Sequence, residues 1–275
     1  MNLKPKSDPV NTVSLREFYQ EAANIFVTCH SDLFIPDHWT KTLAAGLEKV
    51  DFSGSVVLEV GVGIGINMAG LLTSPKPPSG FIGTDLCNNA INASGSLAEL
   101  EGFSQAIFFR SDLLKDVPDA QLEKIDHIFA CIPQVPSDCP LEDGDNSAHY
   151  YNGKGCKWDK YGLGLNADLI KEATERAPQA SITLNLAGRP GIERLKQIFT
   201  EAGRRSEVLY DAIVPQHSGT TLSPLVDLET NGLGPFEFFA DPEGESQINA
   251  AEAEALRVIN APVYHKIYVV TAGPV

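Results

Sequence analysis

No run of about eighteen or more apolar residues occurs in the 275-residue chain, so no bilayer-spanning helix is expected. Met1 to Val10 carries lysines without an apolar centre, and no secretory signal is read there. Cysteine is sparse and unpatterned: Cys29, Cys87, Cys131, Cys139 and Cys156 are odd in number and contain no C-x-x-C pair. With no histidines at ligand spacing beside them, neither a disulfide framework nor a metal site is expected. Reduced thiols in a cytoplasmic protein are the reading. Positive charge is also short, with 21 Lys and Arg against 36 Asp and Glu, a net charge of −15. Nucleic acid and anionic membranes demand clustered cations, so a small-molecule partner is expected instead. Internal repeats and low-complexity segments are absent as well.

What is present is a chain long enough for a substantial core. Two helices are expected at the N-terminus. One starts at the capping-box pattern Ser14 to Glu17, and the other starts near Pro36–Asp37 and covers HWTKTLAAGLEKV. Short apolar runs then alternate with helical stretches, which predicts βαβ units and a parallel sheet. Strands are expected at 55–60, 80–85, 105–110, 125–130, 180–187, 205–214 and 264–271. Helices are expected at 88–101 (with Asn88 as cap), 166–177, 191–203 and 245–259. The fold class is α/β: a Rossmann-like, seven-stranded, mostly parallel sheet whose last strand runs antiparallel beside 205–214. A single domain is expected, with a helical cover over 1–50, a core over 51–214, an insertion or lid over 215–262 and the last strand over 263–275.

The sharpest local pattern is Glu59-Val-Gly61-Val-Gly63-Ile-Gly65, directly after the strand VVLEV and before a helix. Glycines there permit backbone angles closed to other residues and close approach of a ligand. The next strand ends at Asp85, where a carboxylate can grip ribose hydroxyls, and the following one leads into Ser111-Asp112, placed for an adenine edge. Dinucleotide enzymes share the strand, turn and distant acid. The G-x-G-x-G spacing, the acid at Glu59 and the second acid at Asp112 favour S-adenosyl-L-methionine. The cofactor-binding set is therefore Glu59, Gly61, Gly63, Gly65, Asp85, Leu86, Asp112, Leu113 and Cys131. A nicotinamide oxidoreductase is the reading it displaces.

After the fourth expected strand the chain reads Cys131-Ile132-Pro133-Gln134-Val135-Pro136. Amide and amine methylases carry Asn-Pro-Pro-Tyr at this edge and accept the substrate N–H with the Asn. Cys131 is a poor acceptor, which argues against an amide or adenine nitrogen. The segments FIPDHWTKTLAAGLEKV, LEVGVGIG, CIPQV, DKYGLGL, NLAGRPG and FEFF, in this order, resemble the N-terminal catalytic domain of plant methionine S-methyltransferases and their short bacterial relatives. The resemblance spans roughly Phe34 to Phe239 and lacks the large second domain of the plant enzymes.

That resemblance implies a methyl transfer to the sulfur of free L-methionine, giving S-methylmethionine on a route to dimethylsulfoniopropionate. A thioether has a free lone pair at any physiological pH, so no general base is required. Cys131, Ile132 and Pro133 are expected to position the reacting groups without acid–base chemistry. The substrate-binding candidates are Arg189 for the α-carboxylate, Asp159 for the α-ammonium, Gln134 for either end, and Trp39, Tyr151 and Tyr161 as aromatic faces for a sulfonium. Trp158 belongs to the same aromatic group. Each has a plainer alternative: a core ring for Trp39, a cap for Asp159, charge neutralisation for Arg189 and a surface position for His217. Another thioether or an amine remains open as acceptor, as does a non-catalytic donor-binding protein. A homodimer is the default oligomer.

Overall fold

The computed structural model describes residues 9–136, 155–217 and 220–275. It opens with strands β1 (Pro9–Ser14) and β2 (Phe26–His30), paired antiparallel. Here the structure corrects the expected first helix. The capping box at Ser14 does form, with Ser14 N donating to Glu17 Oε1 at 3.1 Å, but it closes only one short turn over Leu15–Glu17. Leu15, Phe18, Tyr19, Ala22 and Ile25 are all buried, yet from an irregular loop that Leu15 N closes onto Ile25 O. The run F-V-T-C-H, with β-branched Val27 and Thr28 at its centre, gains an antiparallel ladder by pairing with β1, which outweighs a helical spacing of apolar residues.

Helix α1 (His38–Leu47) follows, started by Asp37, whose side chain accepts from Trp39 N at 2.8 Å. The core then alternates: β3 (Val56–Val60), α2 (Ile66–Leu72), β4 (Gly80–Asp85), α3 (Asn88–Glu101), β5 (Ala106–Arg110), α4 (Asp119–Leu122) and β6 (His127–Ala130). After the region 137–154 come α5 (Gly164–Arg176), β7 (Ser181–Ala187), α6 (Ile192–Glu201) and β8 (Ser206–Pro215). Helix α3 takes Cys87 rather than Asn88 as its N-cap residue. The insertion contains α7 (Ser223–Thr230), β9 (Phe238–Phe239), β10 (Gln247–Ile248) and α8 (Ala250–Val258), and leads to β11 (Tyr264–Ala272).

The main sheet runs β5-β4-β3-β6-β7-β11, with β8 on the far side of β11. The short β9 and β10 join it at Tyr264, so among the described residues it has nine strands rather than the expected seven, because the insertion adds two. Strands β3 to β7 are mutually parallel, whereas β11 is antiparallel to both β7 and β8. One face carries Val57, Phe129 and Val269 under α1, α2 and the N-terminal segment. The other carries Leu58, Ile128, Leu184 and Val270 against α5 and α6. Leu222, Leu225, Phe236, Phe238, Ala250 and Ala253 give the insertion a small core of its own. No helix among the described residues is long and apolar enough to cross a membrane.

Candidate functional site

The glycine loop sits at the carboxyl end of β3. Gly61 and Gly63 adopt φ of +78° and +54°, angles that exclude a side chain at little cost only for glycine. The amides of Gly61 and Val62 donate to Thr84 O at 2.8 and 2.9 Å, which folds the loop against the end of β4. Asp85 then holds the loop from the neighbouring strand: Oδ2 accepts from Gly63 N at 3.1 Å and Oδ1 from Cys87 N at 2.9 Å. Burial raises the Asp85 carboxyl above its ordinary value, and these amides act against that rise.

Glu59 is 2% exposed. Its Oε1 accepts from Asn67 Nδ2 at 2.7 Å, while Oε2 is buried with no hydrogen-bond partner among the described residues. Burial, and after it the Asp85 charge, pushes this carboxyl up to about 8 against the pull of Asn67. A half-satisfied buried carboxylate beside a tight glycine turn is the chemistry that a ligand cation completes. Leu86 is exposed and its carbonyl accepts from Arg110 Nε at 3.1 Å. Asp112 is ion-paired with Lys115, and Leu113 is buried in a left-handed conformation at φ +55°.

At the end of β6, Cys131 Sγ accepts from Asn185 Nδ2 at 3.3 Å. Burial raises the thiol to about 12, so it is not ionised at neutral pH. A Cβ at Gly61 would lie 3.1 Å from Ile132 Cγ2, so Ile132 is set directly against the glycine loop. Gln134 spends its amide on β7: Nε2 donates to Asn185 O at 2.7 Å and Oε1 accepts from Ala187 N at 2.8 Å.

The separate sequence segments converge here. A Cβ on Gly162, at φ +74°, would sit 2.9 Å from the Gln134 carbonyl carbon, so the DKYGLGL turn rests on the CIPQV backbone. Glu237 N donates to Arg189 O at 2.8 Å, which ties FEFF to the GRPG turn. Arg194 reinforces the joint through Pro190 O and Gly234 O, both at 2.7 Å, and lies 5.2 Å from the Tyr161 ring centre. Between these segments a small cleft is lined by Gln134, Tyr161, Ala187, Arg189, Leu225 and Phe236.

Three of the expected substrate residues thus share one cleft. Others lie elsewhere. Asp159 is buried, its Oδ2 accepts from Cys156 N at 2.8 Å, and its carboxylate packs on Gly164 where α5 begins. Trp158 turns towards α6, with Nε1 donating to Glu201 Oε2 at 3.1 Å. His217 is exposed. Tyr151 lies outside the described residues.

Besides Asn67, two residues at this end of the sheet were not singled out from the sequence. Asn185 uses Nδ2 on Trp39 O at 2.9 Å and on Cys131, leaving Oδ1 buried and unpartnered among the described residues. His265, on β11 opposite Val214, is 2% exposed, and both ring nitrogens lack partners among the described residues. Its ring centre is 5.8 Å from that of Trp39. Burial, and then the Arg189 charge, hold it well below the ordinary histidine value, so it is a neutral imidazole. The available signal was a polar residue at an inward position of an apolar strand: asparagine in ITLNLA and histidine in YHKIYVV. Among the described residues no group of three or more His, Cys, Asp or Glu could hold a metal ion.

The chain as a whole has a match among solved structures. A Pyrococcus horikoshii protein assigned as a transferase superposes with a TM-score of 0.52 over 98% of this chain and 74% of its own, at 10% identity. The fold is Rossmann-like, a mostly parallel α/β sheet with antiparallel C-terminal strands. In sequence the chain is similar to methionine S-methyltransferase of Zea mays, 30% identical over 270 residues, and of Hordeum vulgare, 29% over 269. Each alignment covers 86% of this chain and 24% of the plant protein, so the chain spans about a quarter of the length of these relatives. No protein-family model matches the chain. The glycine loop, Asp85 and Cys131 occupy the edge formed by the carboxyl ends of β3, β4 and β6, where ligands of open α/β sheets bind.

Proposed function

We propose that this chain methylates the sulfur of free L-methionine with S-adenosyl-L-methionine, giving S-methyl-L-methionine and S-adenosylhomocysteine. The observation that carries the reading is the convergence of the CIPQV, DKYGLGL, NLAGRPG and FEFF segments on one cleft, with Ile132 of the first segment set against Gly61 of the glycine loop. Segments shared with methionine S-methyltransferases over most of the chain are thereby also neighbours in space.

The residues present fit the methyl donor. Glu59 Oε2 is available to its α-ammonium, the glycine loop to its aminoacyl end, Asp85 to its ribose, and Asp112 with Leu113 to its adenine. When bound, the donor supplies a methyl group on a sulfonium, which a thioether lone pair can attack without a base. The chain's part is therefore to hold, orient and exclude water. Gln134 fixes the backbone that follows Cys131, Ile132 and Pro133, so that edge is rigid where alignment matters. Arg189 clamps the acceptor carboxylate. The neutral His265 and the Asn185 amide oxygen provide hydrogen-bonding capacity nearby. Trp39 and Tyr161 offer aromatic faces to positive charge. Asp159 is retained only as the anchor of its turn. A cytoplasmic place, which rests on the unpatterned cysteines, and a role early in dimethylsulfoniopropionate synthesis, which rests on the family resemblance, are part of the proposal.

The test is mass spectrometry of purified protein incubated with donor and an equimolar set of free amino acids. One product, methionine plus a methyl group in sulfonium form, is expected. A methylated amine instead would replace the acceptor assignment, and no product from any amino acid would remove it. Arg189→Ala should raise KM for methionine by about tenfold or more, the loss of a charge-assisted pair, while donor affinity stays as in the parent. If donor binding collapses with it, the arginine serves the fold.

A further inference from the structure

Tyr19 lies in the connection between β1 and β2, far from the glycine loop in sequence but packed on α2 in space. Its ring occupies the space above Gly70, where an added Cβ would overlap it. Its buried hydroxyl donates to Asn67 Oδ1 at 2.9 Å, and Asn67 Nδ2 donates to Glu59 Oε1 at 2.7 Å. Every donor in this chain points towards Glu59. Oε1 is therefore fixed as an acceptor, and a proton on a neutral Glu59 must sit on Oε2, the atom that has no partner among the described residues.

We propose, resting on the assignment of the glycine loop to the methyl donor, that Tyr19 and Asn67 are positioning residues that aim Glu59 Oε2 at the donor's α-ammonium, and that donor binding expels the carboxyl proton. In the step, the Oε2–H bond breaks with its electron pair left on oxygen. The proton passes to solvent, and the ammonium, unchanged, pairs with the new carboxylate. The titratable groups coupled to Glu59 are Asp85 from β4, Tyr19 from the N-terminal connection and the Cys131 thiol from the end of β6. None of them carries positive charge, so the ligand supplies the cation that an ionised Glu59 requires. The relay also gives the N-terminal segment a share in donor affinity without touching the donor.

Calorimetry in two buffers of different ionisation enthalpy, at about pH 6.5, reads the proton directly. S-adenosylhomocysteine carries the ammonium and should release about one proton on binding. Methylthioadenosine lacks the aminoacyl end and should release none. Tyr19→Phe should weaken S-adenosylhomocysteine by about fivefold, the worth of one net hydrogen bond, and leave methylthioadenosine binding unchanged. Glu59→Gln should bind S-adenosylhomocysteine with no proton release, which keeps the test informative if Tyr19→Phe folds poorly. Equal proton release for the two ligands, none for either, or a Tyr19→Phe loss shared equally by both would overturn the relay. Failure of both ligands to bind the parent protein would overturn the donor assignment itself.

Discussion

An ionised Glu59 destabilises the ligand-free fold, because its buried carboxyl is pushed up to about 8 from an ordinary 4.5 and Oε2 meets no donor. The sign follows from proton counting. Between these two values the folded state holds more protons than the unfolded one, so stability falls as pH rises through the interval and stays low above it. Glu59→Gln removes that dependence while keeping the hydrogen bond to Asn67 within reach. Its melting temperature should exceed that of the parent above about pH 8 and approach it near pH 5, a window set by the shifted value. A difference that stays constant across pH would contradict this account. At this scale the sequence was legible where spacing alone carries chemistry, as in the acid before three alternating glycines and the acid ending the next strand. It was silent on Tyr19, Asn67, Asn185 and His265, whose meaning depends on what each side chain faces. Tyr19 and Asn67 are 48 positions apart and meet only because α2 and the N-terminal loop pack together.

Among the elements, the central strands and the helices between them were readable because short continuous apolar runs, as strands buried on both faces give, alternate with longer stretches of helical period. The N-terminal loop defeated the same rule. Leu15, Phe18, Tyr19 and Ala22 fall on a helical spacing, yet that spacing only requires four side chains on one side, and a loop crossing α1 and α2 satisfies it equally well. The turn before α5 shows the opposite case, in which a short glycine-bearing segment controls a larger contact. Gly162 is left-handed and abuts the Gln134 backbone, which has no freedom to retreat because its side chain is bonded to β7 at both ends. Gly162→Ala should therefore separate DKYGLGL from CIPQV and cost about 1–3 kcal/mol, as overpacking against backbone does. Urea unfolding measures the cost, and an unchanged midpoint would mean that the two segments are not rigidly joined.

Taken whole, the molecule places its stabilising and ligand-holding parts at opposite edges of one sheet. Arg204, 2% exposed, donates to Thr174 Oγ1, Ala180 O and Gly273 O, each at 2.8 Å, at the edge away from the glycine loop. Arg204→Ala should lower the unfolding free energy by about 3 kcal/mol or more, since it strands buried carbonyls, without altering donor affinity in the folded protein. A parallel loss of donor binding would show that the two edges are coupled. The alternation of strands and helices and the antiparallel place of β11 beside β8 were legible, but the private core of the insertion was not: only α8 had a visible period, and α7, β9 and β10 are too short to announce themselves. The position of β11 has a consequence for synthesis. It is translated after every strand it joins, yet it lies between β7 and β8, and it is the strand through which β8 enters the sheet. While residues 264–272 remain inside the ribosome, the nascent chain presents β7 with an open edge and β8 without a partner, so the wall that brings His265 near Arg189 can assemble only after β11 emerges.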